Sequence, residues 1–237
     1  LYQASAMICN FFIGASSTLA HRKAESIVPQ ALKAMVPAAI IGIVLGVAIS
    51  NSSLFAGGKS YLLARAFGAF LVYVAIYNSF KFSKRFNTAD LTDDYEHCVL
   101  RQSVIGLVTG LGAGLLGMGA GTVSTPLQQI LLKMPLRRAM SNSAVLIMSM
   151  AWLGAIYKNL SLEQHQTSFA LFNSSSALLD SLKMAGCIVP VAIAGAFLGG
   201  YLMHKLPKNL VRTVFIIVVI IAAIRLLAVQ ANLPVTP

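Results

Sequence analysis

Long apolar blocks separated by short polar connectors constrain this chain more than any other feature. A helix that crosses a hydrocarbon core needs about 20 mostly apolar residues. Six blocks approach that length: residues 3–19, 34–50, 61–80, 143–157, 186–203 and 210–227. Of the 237 residues, 57% are hydrophobic and 11% are charged, whereas soluble domains carry about 25% charged residues. The pattern predicts an all-α, polytopic (multi-pass) integral membrane protein.

The chain is strongly basic, with 18 Lys and Arg against 7 Asp and Glu and a net charge of +11. In a soluble protein such an excess would suggest a nucleic-acid partner. In a membrane protein, basic residues are instead enriched in cytoplasmic loops, where they set the orientation. We therefore expect the lipid bilayer as a partner and no nucleic acid.

A seventh apolar stretch, residues 103–132, differs from the others because it contains seven closely spaced glycines. Gly106, Gly110 and Gly114 recur every four residues, which places them on one helix face where another backbone can approach closely. The run 117–121 predicts a break in the helix. Exposed non-helical backbone cannot face lipid, so this break must be buried in protein or line an aqueous cavity.

Two parts of the chain share a pattern that indicates an internal duplication. The spacing P-x4-G-x3-G occurs at Pro37, Gly42 and Gly46 and again at Pro190, Gly195 and Gly199. Two further matches keep the same order: Ser5-Ala6 with Ser143-Ala144, and residues 63–65 with residues 210–212. We predict a first repeat at residues 1–85, a polar cytoplasmic linker at 86–102 and a second repeat at 103–230. The first repeat lacks a counterpart of the glycine-rich segment, so we expect a related segment to precede it in the natural gene.

The distribution of basic residues favours a re-entrant hairpin for residues 103–132. A single crossing would divide the Lys and Arg residues ten to eight between the two faces, whereas a hairpin divides them thirteen to five. The positive-inside rule favours the uneven division and makes the more basic face cytoplasmic. Each leg of the hairpin would have about 14 residues and span roughly 21 Å, too short for a core about 30 Å thick.

A hairpin followed by three spans contains an odd number of crossings, so the two repeats would have opposite orientations. Inverted repeats with broken helices are a common plan of secondary transporters, whose substrate lies near the midplane. The expected fold is two inverted repeats. Each consists of a glycine-rich broken helix and three spanning helices, and the first glycine-rich element is missing from this chain.

The predicted spans have no Asp, Glu, Lys or His at their centres, which disfavours a cation site built on carboxylates. An anion can instead be bound by helix ends, whose free N–H groups and dipoles favour negative charge. Candidate substrate-binding residues lie near the break and at the starts of neighbouring spans: Gly117, Gly119, Gly121, Thr122, Ser124, Asn142, Ser143, Ser5 and Asn10. Alternatively, the glycines only permit tight packing and the polar groups only bond neighbouring helices.

Sequence spacings typical of enzymes and metal sites are not found. The three cysteines stand far apart, the histidines form no HxxxH pair, and no nucleophile motif is present. We therefore expect no catalytic activity, no metal and no cofactor.

One stretch of the sequence matches a known pattern. This stretch is Gly117-x-Gly119-Ala120-Gly121-x4-Pro126-Leu127, followed by Ser143 in the next span. It resembles the glycine-rich signature of the sulfite exporter TauE/SafE family, also called the toluene-sulfonate uptake permease (TSUP) family. The P-x4-G-x3-G helices and the basic run at residues 21–23 are similar to that family too. Ala120 stands in place of the middle glycine of the signature, and Gln128 follows Leu127 at a usually apolar position.

The resemblance implies transport of small sulfur-containing anions, such as sulfite, thiosulfate, sulfoacetate or other organosulfonates, across a bacterial inner membrane. It implies substrate contacts at Gly117, Gly119, Gly121 and Ser124, with Ser143 nearby. Two alternatives stay open, a passive anion channel and a transporter of non-sulfur carboxylates. The hypothesis of an intramembrane enzyme or an assembly scaffold has less support from these residues. A homo-oligomer also stays open, because GxxxG stripes serve packing within and between chains.

Overall fold

The structure, a computed structural model, describes residues 2–51, 71–76, 98–117, 121–164 and 177–228, together with positions 68, 69, 79 and 119. Every regular element within these ranges is an α-helix, as the apolar blocks predict. The helices are α1 Tyr2–Lys23, α2 Pro29–Ser50, α3 Val99–Leu116, α4 Gly121–Leu131, α5 Leu136–Gln164, α6 Ala177–Lys205 and α7 Lys208–Ala228. Residues 71–76 are helical as well.

The chain divides into two compact units. One unit consists of residues 1–51 and 95–205 and contains α1 to α6, including all the predicted site residues. The other consists of residues 52–94 and 206–237 and contains α7 and the helical residues 71–76. The first unit is described below, because the candidate site lies within it.

Within the described ranges, three helices are long and apolar enough to cross a membrane, at Pro29–Ser50, Leu136–Leu160 and Leu178–Lys205. The spans predicted at 34–50, 143–157 and 186–203 lie inside them. Residues 3–19 and 210–227 are helical, and their crossing of the membrane stays a prediction. The span predicted at 61–80 lies mostly outside the described residues.

The glycine-rich segment is broken at the predicted position. Helix α3 ends at Leu116, and α4 begins at Gly121. Gly117 ends α3 with a φ of 66°, a left-handed conformation that glycine adopts without steric cost. The two helices are unequal, with 18 residues in α3 and 11 in α4, so the expectation of two similar legs was wrong.

Helix α4 folds back along α3. At one end of the pair, Arg101 Nη1 donates to Leu131 O at 3.2 Å. Nearer the break, a Cβ placed on Gly112 would lie 3.5 Å from Val123 Cγ2. Helices α3 and α4 therefore form a hairpin whose tip is the glycine break.

The hairpin packs on α2 through direct contact between backbones. A Cβ added to any of three α3 glycines would collide with an α2 carbonyl oxygen: Gly106 with Met35, Gly110 with Ala39, and Gly114 with Ile43. In the other direction, Gly42 and Gly46 meet the carbonyl oxygens of Leu107 and Leu111. Partners advance by four residues on both helices, so α2 and α3 run parallel. The predicted close approach on the glycine face of α3 is confirmed.

Helix α1 packs against α5 in the antiparallel direction. A Cβ added to Gly14 would lie 2.7 Å from Met148 N, and one added to Gly154 would lie 3.2 Å from Met7 Sδ. Residue numbers therefore rise along α1 as they fall along α5. Met7 and Met150 are almost completely buried in the core that forms between these helices and α2.

Helix α1 packs against α6 in the parallel direction. Ser5 Oγ donates to Ser181 O at 3.2 Å, and Ser16 Oγ donates to Ile193 O at 2.9 Å. In a hydrocarbon environment such hydrogen bonds hold helices together, because a polar group without a partner is costly there.

A histidine pair joins the last turns of α1 and α6. His21 Nδ1 lies 2.9 Å from His204 Nε2, and His21 Nε2 lies 3.0 Å from Ser17 Oγ. A neutral imidazole accepts at one nitrogen and donates at the other, so neutral His21 fits between these two partners. Burial, reinforced by the charge of His204, lowers the pKa of His21 from 6.5 to about 4. His21 lies beyond the span predicted at residues 3–19.

We expect acidification to destabilise the protein between about pH 6.5 and pH 4, because the unfolded state then binds a proton at His21 that the folded state does not bind. The loss should approach roughly 2–3 kcal/mol, since one pKa unit corresponds to about 1.4 kcal/mol. The melting temperature of the detergent-purified protein as a function of pH measures it. His21→Gln should flatten this dependence, and His97→Gln, in the predicted linker, should not. An equally steep dependence in His21→Gln would contradict the assignment.

The two P-x4-G-x3-G motifs differ in their surroundings, which allows a matched test. A Cβ on Gly46 would lie 2.6 Å from Leu111 O, whereas a Cβ on Gly199 meets no atom within 4 Å among the described residues. We expect Gly46→Val to destabilise the fold by about 1–3 kcal/mol, the usual cost of overpacking, and Gly199→Val to have little effect. Melting temperatures of both variants provide the comparison, and equal losses would refute this account of the α2–α3 contact.

Candidate functional site

The glycine break lies against α1, whose amide side chains bind the end of α3. Gln3 Nε2 donates to Gly114 O at 3.2 Å and to Leu115 O at 3.1 Å. Asn10 Nδ2 lies 3.5 Å from Gly117 O. The last carbonyl groups of a helix have no partners within it. Helix α1 therefore neutralises the negative end of α3.

Helix α4 begins on the other side of the break. Thr122 Oγ1 donates to Gly119 O at 3.1 Å, which orders the turn that leads into the helix. The first four N–H groups of a helix have no acceptor within it and carry its partial positive charge. A Cβ on Gly119 would lie 3.3 Å from Asn10 Oδ1. Asn10 and the start of α4 thus lie on either side of Gly119.

A cavity of about 10 Å³ adjoins the break. Its lining comes from four helices and from the break itself: Met7, Asn10, Ile43, Ala113, Gly119, Ile147, Met150 and Ala151. None of these side chains is charged. A volume near 10–15 Å³ holds about one water molecule, so the cavity as it stands is too small for a polyatomic ligand.

A cluster of buried polar side chains lies beyond the first turn of α4, where it packs on α5. Gln128 Nε2 donates to Ser124 Oγ at 2.7 Å and to Ser143 Oγ at 3.2 Å. Ser143 Oγ also lies 3.0 Å from Thr125 Oγ1, and it donates to Ala139 O at 2.7 Å. The hydroxyls and the Gln128 side chain are at most 2% exposed, so the hydrogen bonds form inside the protein.

Two acceptors near this cluster carry no hydrogen bond in the described part of the chain, Gln128 Oε1 and Gln129 Oε1. A buried acceptor without a partner is unfavourable. From the sequence, Gln128 was identified only as a departure from the family signature, and Gln129 and Thr125 were missed. Two consecutive amide side chains in a short apolar helix are the signal that could have identified them.

The structure brings most of the predicted site residues together. Gly117, Gly119, Gly121, Thr122 and Asn10 lie at the break, where a Cβ on Gly121 would lie 3.6 Å from Ile147 Cδ1. Ser124 and Ser143 lie in the polar cluster.

Asn142 and Ser5 have partners elsewhere. Asn142 Oδ1 accepts from Val28 N at 2.9 Å, and its amide donates to Met134 Sδ at 3.3 Å. Asn142 therefore satisfies a backbone donor at the start of α2. Ser5 bonds to Ser181 on α6. Ser5 matches Ser143 in the sequence repeat, but the antiparallel arrangement of α1 and α5 does not bring the two to one site.

Comparison with known proteins agrees with this architecture. The family model described as "Sulfite exporter TauE/SafE" matches residues 2–226. The chain is 29% identical over 127 residues to the probable membrane transporter protein MamO of Paramagnetospirillum magneticum and to that of Magnetospirillum gryphiswaldense. Each match covers 54% of this chain and 19% of the relative, so the chain spans only about a fifth of the length of these curated relatives.

No solved structure matches the chain. The family match nevertheless covers nearly all of the chain, and it includes the glycine break that carried the resemblance. The chain belongs to the sulfite exporter TauE/SafE family of membrane transporters.

Proposed function

We propose that the protein is a secondary transporter or exporter of small sulfur-containing anions, which bind at the glycine break. The single observation that carries this proposal is that α4 begins two residues after Gly119, which lines a cavity with no charged side chain. Sulfite, thiosulfate, sulfoacetate and other organosulfonates fit the family and the chemistry of such a site. We expect no catalytic activity.

The carbonyl end of α3 and the N–H end of α4 both allow an anion at the break, for different reasons. The carbonyl end of α3 is already bound by Gln3 and Asn10, so its negative potential is reduced. The N–H end of α4 has no intrahelical acceptors and favours an anion. Gly119 lets the backbone approach a ligand closely, because it carries no side chain.

Transport requires that the site at the break opens in turn to each face of the membrane. The cavity of about 10 Å³ is smaller than a sulfur oxyanion. The contact of α1 with the break is long at Asn10, with 3.5 Å between Asn10 Nδ2 and Gly117 O. We propose that movement of α1 and α5 relative to the α3–α4 hairpin opens the cavity.

The directions of the helices support the inverted-repeat plan. Helix α1 runs parallel to α6, and α5 runs parallel to α2: Asn142 contacts Val28, and Lys158 Nζ donates to Asn51 Oδ1 at 2.6 Å. Helices α1 and α5, which match in the sequence repeat, run antiparallel. A pseudo-twofold axis in the membrane plane relates helices in this way. We propose that the repeats are residues 1–85 and 103–230, joined by the linker 86–102.

The clustering of basic residues supports an orientation for the first unit. His21 contacts His204, Ser26 Oγ lies 2.7 Å from Ser141 Oγ, and Arg101 contacts Leu131. These contacts place several basic helix ends on one side of the unit. The positive-inside rule makes that side cytoplasmic, and we propose a bacterial inner membrane as the location.

Two alternatives share the same site. A passive anion channel would use the same helix ends, but its flux would neither saturate nor respond to a coupling gradient. A carrier of non-sulfur carboxylates would also bind through N–H groups. Melting measurements identify the anion that stabilises the protein, and flux measurements show whether transport saturates. Together these two results distinguish the functions.

We expect a sulfur-containing anion to raise the melting temperature of the detergent-purified protein. A ligand at 100 times its dissociation constant stabilises the folded state by about 2.7 kcal/mol. The test set is sulfite, thiosulfate, sulfoacetate, taurine, sulfate, chloride and acetate. A melting-temperature shift with acetate alone would indicate a carboxylate substrate and contradict a sulfur-containing one. If no anion shifts the melting temperature, the proposed anion site is contradicted.

We expect Gly119→Val to reduce anion flux in liposomes by roughly tenfold or more, equivalent to about 1.4 kcal/mol. The new side chain would lie between Asn10 and the start of α4, where the anion binds. Gly186→Val is the matched control, because a Cβ on Gly186 meets no described atom within 4 Å. Unchanged flux in a folded Gly119→Val protein would refute the assignment.

A further inference from the structure

A buried carboxylate lies close to the start of α6, between the spans predicted at residues 143–157 and 186–203. Asp180 belongs to the first turn of α6 and to the apolar stretch Leu178–Lys205. It is 1% exposed. Its Oδ1 atom is buried and has no hydrogen-bond partner among the described residues.

Two buried hydroxyls lie beside this position. Ser181 is 0% exposed, and Ser5, on the parallel helix α1, is 2% exposed. Ser5 Oγ lies 3.2 Å from Ser181 O and 3.4 Å from Ser181 Oγ. The interface of α1 and α6 therefore holds several oxygen atoms next to an acidic residue.

Few charged side chains lie on the described parts of the helices around this interface. Residues 2–20 of α1 contain no charged side chain. Lys183, on α6 itself, is exposed. Lys158, on α5, donates to Ser50 Oγ and Asn51 Oδ1. Among the described residues, no hydrogen-bond donor reaches Asp180 Oδ1 to compensate its charge.

A buried ionised carboxylate needs a compensating positive charge. The partial positive charge at the start of α6 favours Asp180, but a helix dipole acts weakly compared with the cost of burying a full charge. A small cation bound to the carboxylate would supply the missing charge. Oxygen atoms of carboxylates, hydroxyls and carbonyls are the groups that hard cations prefer.

We propose that Asp180, together with the hydroxyls of Ser5 and Ser181, binds the cation that drives anion transport, either Na⁺ or a proton. This inference rests on the proposed transport function and adds its coupling ion. The site is separate from the glycine break, since Ser5 faces α6 whereas Gln3 and Asn10 contact α3 and the break. Helix α1 connects the two sites, so a cation at one can influence an anion at the other.

The test compares wild type with Asp180→Asn, which preserves the shape of the side chain and removes its charge. Proteoliposomes are given an inward Na⁺ gradient or, in a separate experiment, a pH gradient. Uptake is measured for the anion that raises the melting temperature of the purified protein. Exchange of internal for external anion, without a gradient, is measured in parallel. We expect one gradient to drive accumulation in wild type, and we expect Asp180→Asn to lose this accumulation while it keeps exchange.

Several outcomes would overturn the proposal. Accumulation that survives in Asp180→Asn excludes this residue as the coupling site. Wild type that responds to neither gradient excludes coupling itself. The gradient that drives accumulation in wild type, Na⁺ or pH, identifies the cation.

A second variant covers the case in which Asp180→Asn does not fold. Ser5→Ala should raise the half-saturating concentration of the driving cation by roughly tenfold, the equivalent of one lost hydrogen-bonding ligand. An unchanged half-saturation would overturn the assignment of Ser5 and Asp180 to one site.

Melting temperatures test the cation site independently of anion transport. In a His21→Gln background, which removes the titration of His21, the protein is melted in Na⁺ or choline chloride and over a range of pH, without any transport substrate. A response to Na⁺ or to pH that disappears in Asp180→Asn supports the cation site even if no anion binds. The same response in both proteins would refute the cation site and leave the anion site standing.

Discussion

The contact of α2 with α3 through their backbones is the interaction on which the rest of the first unit depends. In lipid, apolar side chains gain little by leaving their surroundings, so helices associate through close van der Waals contact. Gly106, Gly110 and Gly114 allow α3 to lie directly on the carbonyl groups of α2. This long parallel contact fixes α3, and through α3 it fixes the position of the break.

A helix can end inside such a protein only if its last backbone groups find partners. The side chains of Gln3 and Asn10 meet this requirement for α3. The first N–H groups of α4 have no acceptor within that helix, and Gly119, two residues before its start, lines a cavity with no charged side chain. The same constraint that limits broken helices in membranes therefore leaves backbone N–H groups at the position where we propose that an anion binds.

Helix α1 has a different role on each of its faces. Gln3 and Asn10 bind the break, Met7 lies in the core, and Ser5 and Ser16 bond to α6. A displacement of α1 would change the break and the Asp180 region together. If an anion binds at the break and a cation at Asp180, as we propose, this shared helix is the physical route by which each affects the binding of the other.

Patterns with a local cause could be predicted from the sequence. Apolar length predicted the helices, and four-residue spacing predicted the close approach on the glycine face of α3. The density of glycines at 117–121 predicted the break, because several glycines in succession favour non-helical backbone. The family signature depends on these same local residues and therefore identified the family correctly.

Roles that depend on a distant partner were decided by the tertiary structure. Asn142 stands at a predicted site position, yet it binds the backbone at Val28. Asp180 lies between two predicted spans, yet α6 begins at Ala177 and buries it. The sequence by itself determined which segments are helical and where the glycine-rich helix breaks, because those properties depend on neighbouring residues. Only the packing of the helices decided which polar groups meet at the break and which are buried elsewhere, because those contacts join residues more than a hundred positions apart.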